Sequence, residues 1–192
     1  MPSLRYFAVA AMLMFFAPPK GVAQETQFHV PAQYSALAVG RSGATIGKTF
    51  DLKISVYGIT SDADRDRLMS ALKQNGQDGL VSVMGKAQEL GRVAPISRVG
   101  VVMHVVVIRP TADGGEHIVL ATDRALSFGE RYRGSRSLTY PIGVVTLDVD
   151  KNGKGSGSLA PVCKVRFDKN MQLEVEHYGQ KPFTLTGVYR QK

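Results

Sequence analysis

The chain has 192 residues, 44% of them apolar, one cysteine, no tryptophan and a formal charge of +8 at pH 7. A lone cysteine excludes an intrachain disulfide, so a hydrophobic core must carry the fold, which a chain of this length can build. Twenty glycines beside many Val and Thr argue for strands and turns and against a helical bundle.

Residues 1–23 read as a secretory signal peptide. Arg5 supplies a short basic start, and Phe7 to Ala17 is apolar but too short to span a bilayer comfortably. Pro18-Pro19 breaks any helix, and Gly21-Val22-Ala23 offers small residues for a cut after Ala23. The expected product is exported, periplasmic or secreted, and is not transmembrane once the signal is removed. Cleavage takes Arg5 and Lys20 but no acid, so the remainder stays basic. An anionic envelope component or a protein partner suits such a surface, whereas export argues against nucleic acid.

Residues 24–47 look like a partly flexible lead-in with a short strand at Ala36 to Val39, and residues 48–192 like a single domain. The series from Gly43 to Thr49 resembles a phosphate loop, but it has three residues between its glycines instead of four and no helix after Lys48-Thr49. Thr49 to Tyr57 alternates strictly, with Phe50, Leu52, Ile54 and Val56 on one face, and predicts a half-buried strand. Ser61 and Asp64 resemble a capping box, and Asp62, Asp64 and Asp66 suit the positive end of a helix dipole better than a metal site. Leu68, Ala71 and Leu72 form the apolar stripe of that helix. Asn75-Gly76 ends it, and a second short helix from Asp78 carries Leu80, Val81 and Met84.

After Gly91 the pattern is sheet. Val99 to Ile108 is the most apolar run beyond the signal, and Asp113-Gly114 joins it to Ile118 to Ala121 as a hairpin. A two-residue turn there sets His104 opposite Asp123, a base and an orienting carboxylate in an apolar sheet. No nucleophile accompanies them, so a structural pair is the preferred reading, and His104 and Asp123 are the only catalytic candidates. Gly129 to Ser137 is a polar loop in which Arg131, Tyr132, Arg133 and Arg136 form the best candidate binding surface.

Val144 to Asp150 alternates again before Asn152-Gly153. Asp148, Asp150 and Asn152 match the start of a calcium loop, but Leu159 stands where a bidentate Glu is required, so a hairpin turn is expected and no metal. No cofactor is implied. Lys154 to Phe167 is a strand with an edge or bulge at Pro161, and Cys163 within it reads as a buried hydrophobe. Leu173 and Val175, then Phe183, Leu185 and Tyr189, mark the last strands. The fold class is α+β: mainly an antiparallel β meander, open or barrel-like, with a short helical pair inserted between the N-terminal strand and the central hairpin. Its expected role is non-enzymatic binding at the cell envelope. The alternatives are a hydrolase-type enzyme using His104 and Asp123, or a purely structural envelope component.

Overall fold

The computed structural model describes Phe28 and residues 30–126, 141–167, 173–177 and 181–191. Its elements, in chain order, are β1 (Ala32–Val39), β2 (Thr49–Val56), α1 (Asp62–Met84), β3 (Gly91–Pro95), β4 (Val101–Met103), β5 (Val105–Pro110), β6 (Glu116–Thr122), β7 (Ile142–Val149), β8 (Lys154–Phe167), β9 (Leu173–His177) and β10 (Phe183–Arg190). The α+β meander expected from the pattern is what forms. All pairings between strands are antiparallel, in the order β4-β3-β2-β1-β10-β8-β7-β6-β5, with β9 on β8 beyond β10.

The two ends of that order are consecutive in the chain. β4 pairs with β3 and β5 pairs with β6, so the strand they share bends at His104 and brings the sheet to a nearly closed barrel. A change of inward parity marks the bend: Met103 and Val106 both belong to the interior, although strict alternation would separate them by an even number. Thr60 covers the edge of β5 left bare there. Its amide donates to the Val106 carbonyl and its hydroxyl accepts from the Val106 amide, each at 2.9 Å.

The interior is filled by Tyr34, Leu52, Ile54, Met103, Ile118, Leu120, Leu147, Leu159 and Leu185, all under 2% exposed. A second core lies outside the barrel, where Leu68, Leu72, Leu80 and Met84 of α1 cover Val105, Val107, Val119, Ala121, Val144 and Cys163. This explains the unbroken apolar run of β5. Even-numbered residues fill the barrel and odd-numbered ones meet the helix, so neither face needs a polar residue. Ser61 caps α1 by accepting from the Asp64 amide at 3.1 Å. The helical pair is real: Gly76, at φ 61° and ψ −152°, breaks the helix in a region open essentially to glycine.

Four expectations are corrected. β1 extends from Ala32 and is a full stave of the barrel rather than a short strand in a lead-in. The apolar run yields strands only from Val101, because Val99 is 82% exposed. The connection after β5 spans five residues, Thr111 to Gly115, closed by Thr111 donating to the Gly115 carbonyl at 3.0 Å. Val105 therefore pairs with Ala121, one residue away from the register a two-residue turn would impose. The bulge at Pro161 forms as expected, since the β7–β8 register slips between Val144↔Ala160 and Ile142↔Cys163.

Candidate functional site

Three polar clusters and one basic end stand out among the described residues. The first is the pair singled out in the sequence. His104 Nε2 lies 3.5 Å from Asp123 Oδ1, with side chains 9% and 14% exposed. The bend at His104 turns the ring toward the segment after α1, where Nδ1 donates to the Ala87 carbonyl at 2.9 Å. Nε2 is closed off from solvent and makes no hydrogen bond of normal geometry. Asp123 is also held by the guanidinium of Arg124, at 3.1 Å and 3.4 Å. A base needs a path to substrate, and this nitrogen has a carboxylate in front of it and protein around it. The pair therefore ties the end of α1 to the barrel.

The second cluster was missed. Tyr34, Glu116 and Arg190 meet at the end of the barrel where β6 begins and β10 finishes, called here the lower end. Arg190 pairs with Glu116 and donates to the Tyr34 hydroxyl at 3.0 and 3.2 Å, while Tyr34 donates to Glu116 at 3.3 Å. The guanidinium carbon also stands 5.4 Å from the Tyr34 ring centroid. Burial pushes the Tyr34 hydroxyl above its ordinary pKa, outweighing the opposing pull of Arg190. Alternation carried the signal: Glu116 shares the inward parity of Ile118 and Leu120, so a charge was due inside the barrel.

The third cluster lies on the outer face. His117 opposes Asp148 across β6 and β7, with Nδ1 2.5 Å from Oδ1. Ser156 opposes Asp148 from the other side. The order across the sheet is thus imidazole, carboxylate, hydroxyl. A hydroxyl activated by His117 would need the imidazole in the middle.

The same geometry bears on the calcium candidates. Asp148 is turned to His117, whereas Asp150 closes the turn, its Oδ1 accepting from the amides of Asn152 at 2.8 Å and Lys154 at 2.9 Å. These amide bonds, that from Lys154 foremost, hold the Asp150 carboxyl below its usual range. Asp150 and Asn152 are brought together and Asp148 is not, so the three do not form a single oxygen cage. Cys163 is fully buried, donates to the Ile142 carbonyl at 3.2 Å, and burial pushes its thiol up to about 12.

Comparison with known proteins finds no family model, no curated protein and no solved structure that matches the chain. Among the described residues no helix is long and apolar enough to cross a membrane.

The basic end is the upper one, where β1 finishes, β2 begins and β3 turns into β4. Arg41, Lys48, Arg98 and Lys181 are exposed there. Arg131, Tyr132, Arg133 and Arg136 lie outside the described residues. The described end of β6 and start of β7 lie at this same end. At the lower end charges of both signs meet: the β5–β6 turn carries Asp113, and the β7–β8 turn carries Asp150 beside Lys151 and Lys154.

Proposed function

We propose that the chain is an exported, non-enzymatic binding protein of the cell envelope that contacts an anionic component through the upper end of its barrel. The observation that carries this reading is the gathering of exposed cations at the upper end of the barrel. Exposed Arg41, Lys48, Arg98 and Lys181 gather at the end where β6 finishes and β7 starts, and the two connections of residues 40–50 and 95–101 there carry no acid. Guanidinium groups bind phosphate and carboxylate bidentately, and Tyr132 adds stacking area at low entropic cost. The burial of His104 against Asp123 speaks for binding rather than hydrolysis. Export rests on Arg5, the apolar stretch from Phe7 to Ala17 and the cut after Ala23, and it predicts that protein from an envelope fraction begins at Gln24.

The test is to replace Arg131, Arg133 and Arg136 together by Gln and measure binding to envelope extracts, lipopolysaccharide and acidic glycans. Parent binding should weaken as salt rises, and the variant should bind more weakly at low salt with an unchanged melting temperature. A parent that binds none of these, or full-length protein found in the cytoplasm, removes the proposal.

A further inference from the structure

We infer that the upper end of the barrel seats on an anionic lipid bilayer, with Ile46, Ile96 and Val99 entering the headgroup layer and Arg41, Lys48 and Arg98 pairing with lipid phosphates. The inference rests on the envelope-binding reading and names its partner.

Among the described residues, the three most exposed large hydrophobic side chains are Val99 (82%), Ile46 (69%) and Ile96 (62%). They are not scattered. Ile46 belongs to the β1–β2 connection, and Ile96 and Val99 to the β3–β4 connection. These connections are neighbours, because β2 pairs with β3 from Leu52↔Pro95 and the Ile96 amide donates to the Asp51 carbonyl at 3.2 Å.

Both connections are braced so that apolar side chains face outward. In the first, Thr45 is 4% exposed and its hydroxyl donates to the Ser42 carbonyl at 2.6 Å, so the polar residue is turned in while its apolar neighbour Ile46 is turned out. The Gly40 amide closes this loop on Lys48, and the Lys181 amide donates to Ser42 Oγ at 2.7 Å. In the second, Ser97 takes a left-handed φ of 67°, a strained state for a residue with a side chain. The guanidinium of Arg92, held on both sides by Glu89 at 2.8 Å, donates to the Val99 carbonyl at 3.3 Å. Ile96 and Val99 are thus held in a fixed connection with their side chains outside the core.

The charge selects the occupant. Residues 40–50 and 95–101 contain Arg41, Lys48 and Arg98 and no acid. The nearest acid on these strands is Asp51, followed by Lys53 two residues along. A second copy of the chain would bring one basic end against another. An anionic bilayer supplies both an apolar layer for the tips and phosphates for the flanking cations, an arrangement that binds interfacially without spanning.

The absence of tryptophan allows a direct readout. The protein purified from its host is mixed with phosphatidylcholine vesicles with and without phosphatidylglycerol, beside the variant Ile46→Ser/Ile96→Ser/Val99→Ser. Expected are pelleting only with the anionic vesicles and an at least tenfold lower partition for the variant, at an unchanged melting temperature. Ile96→Trp should shift its emission to the blue on vesicle addition and be quenched by brominated lipid, whereas Ala112→Trp, in the exposed lower turn, should do neither. The inference is overturned if the parent ignores anionic vesicles, if the serine variant partitions as well as the parent, or if Ala112→Trp responds and Ile96→Trp does not. A parent dimer that the serine variant abolishes without lipid would assign the tips to self-association and overturn it as well. Binding to lipopolysaccharide or acidic glycan without vesicle binding would overturn the inference and leave the envelope-binding reading standing.

Discussion

His104 Nε2 stands 3.5 Å from Asp123 Oδ1, although strand register does not oppose them: the His104 amide donates to the Ala121 carbonyl, and Val105 pairs with Ala121. The contact exists because the chain bends at His104 between β4 and β5. Nδ1 is committed to Ala87, and only the imidazolium form has a second N–H to give to Asp123. His104 therefore fastens the segment after α1 to the barrel wall. His104→Ala leaves the Ala87 carbonyl short of a partner and should cost about 1–3 kcal/mol in urea unfolding. His104→Gln, which keeps a donor, should recover part of that loss. A variant as stable as the parent would show the pair to be idle.

The pairing of His104 with Asp123 was legible from the hairpin, but for an incomplete reason. Asp-Gly implied a two-residue turn, whereas Thr111 bonding to both Gly115 and Asp113 lengthens the connection. The resulting slip in register is offset by the extra residue at the bend. Local turn chemistry cannot report such compensation, because the bend exists to move one strand from β3 to β6. Closure itself was only half legible: the alternation in β2 and β7 showed one-sided strands, but nothing local tells β10 to pair with β1.

Legible for sound reasons were the break at Gly76, the bulge at Pro161 and the burial of Cys163, since each depends on the intrinsic conformation or polarity of one residue. The Tyr34–Glu116–Arg190 cluster could have been suspected from the parity of Glu116. Its partners were out of reach, because Tyr34 and Arg190 become neighbours only across the β1–β10 seam.

Gly76 supplies a test of the helical pair. At φ 61° and ψ −152°, a Cβ meets no neighbour but the backbone state is strained for any L residue. Gly76→Ala should destabilise by about 1–3 kcal/mol. If it stabilises instead, as Gly→Ala does inside a regular helix, the two halves of α1 are one continuous helix in solution.

The turn from Asp150 to Gly153 should not require calcium. Its carboxylate already accepts amide hydrogen bonds from Lys154 and Asn152, and Asp148 is engaged with His117. Millimolar calcium should leave the melting temperature unchanged, and a large rise would mean binding to the native state. Because the Asp150 carboxyl is held below its ordinary range, its contribution is present above the unfolded pKa and fades as pH falls through the folded one. Asp150→Ala should therefore lower the melting temperature at pH 7 and matter less in strong acid.

The last prediction concerns the lower end of the barrel. Arg190 and Glu116 are mostly buried and satisfy the Tyr34 hydroxyl between them, so removing one charge takes the ion-pair partner from the other. Glu116→Leu or Arg190→Leu alone should each cost about 2–3 kcal/mol, below a fully enclosed pair because Arg190 keeps some access to water. The double variant should regain part of that, since an apolar end needs no counter-charge. Tyr34 gives the pH signature. Burial raises its folded pKa above the unfolded value, so the unfolded chain releases the proton first as pH rises. The stability Tyr34 contributes is then complete below the unfolded value near 10 and is lost progressively above it. Tyr34→Phe should be less stable than the parent at pH 8, by about 1 kcal/mol for the lost hydrogen bonds, and should approach the parent at higher pH as the parent declines. Parallel stability curves for parent and Tyr34→Phe between pH 8 and the alkaline limit would show that Tyr34 ionises as it does in water and that the lower end is open to solvent.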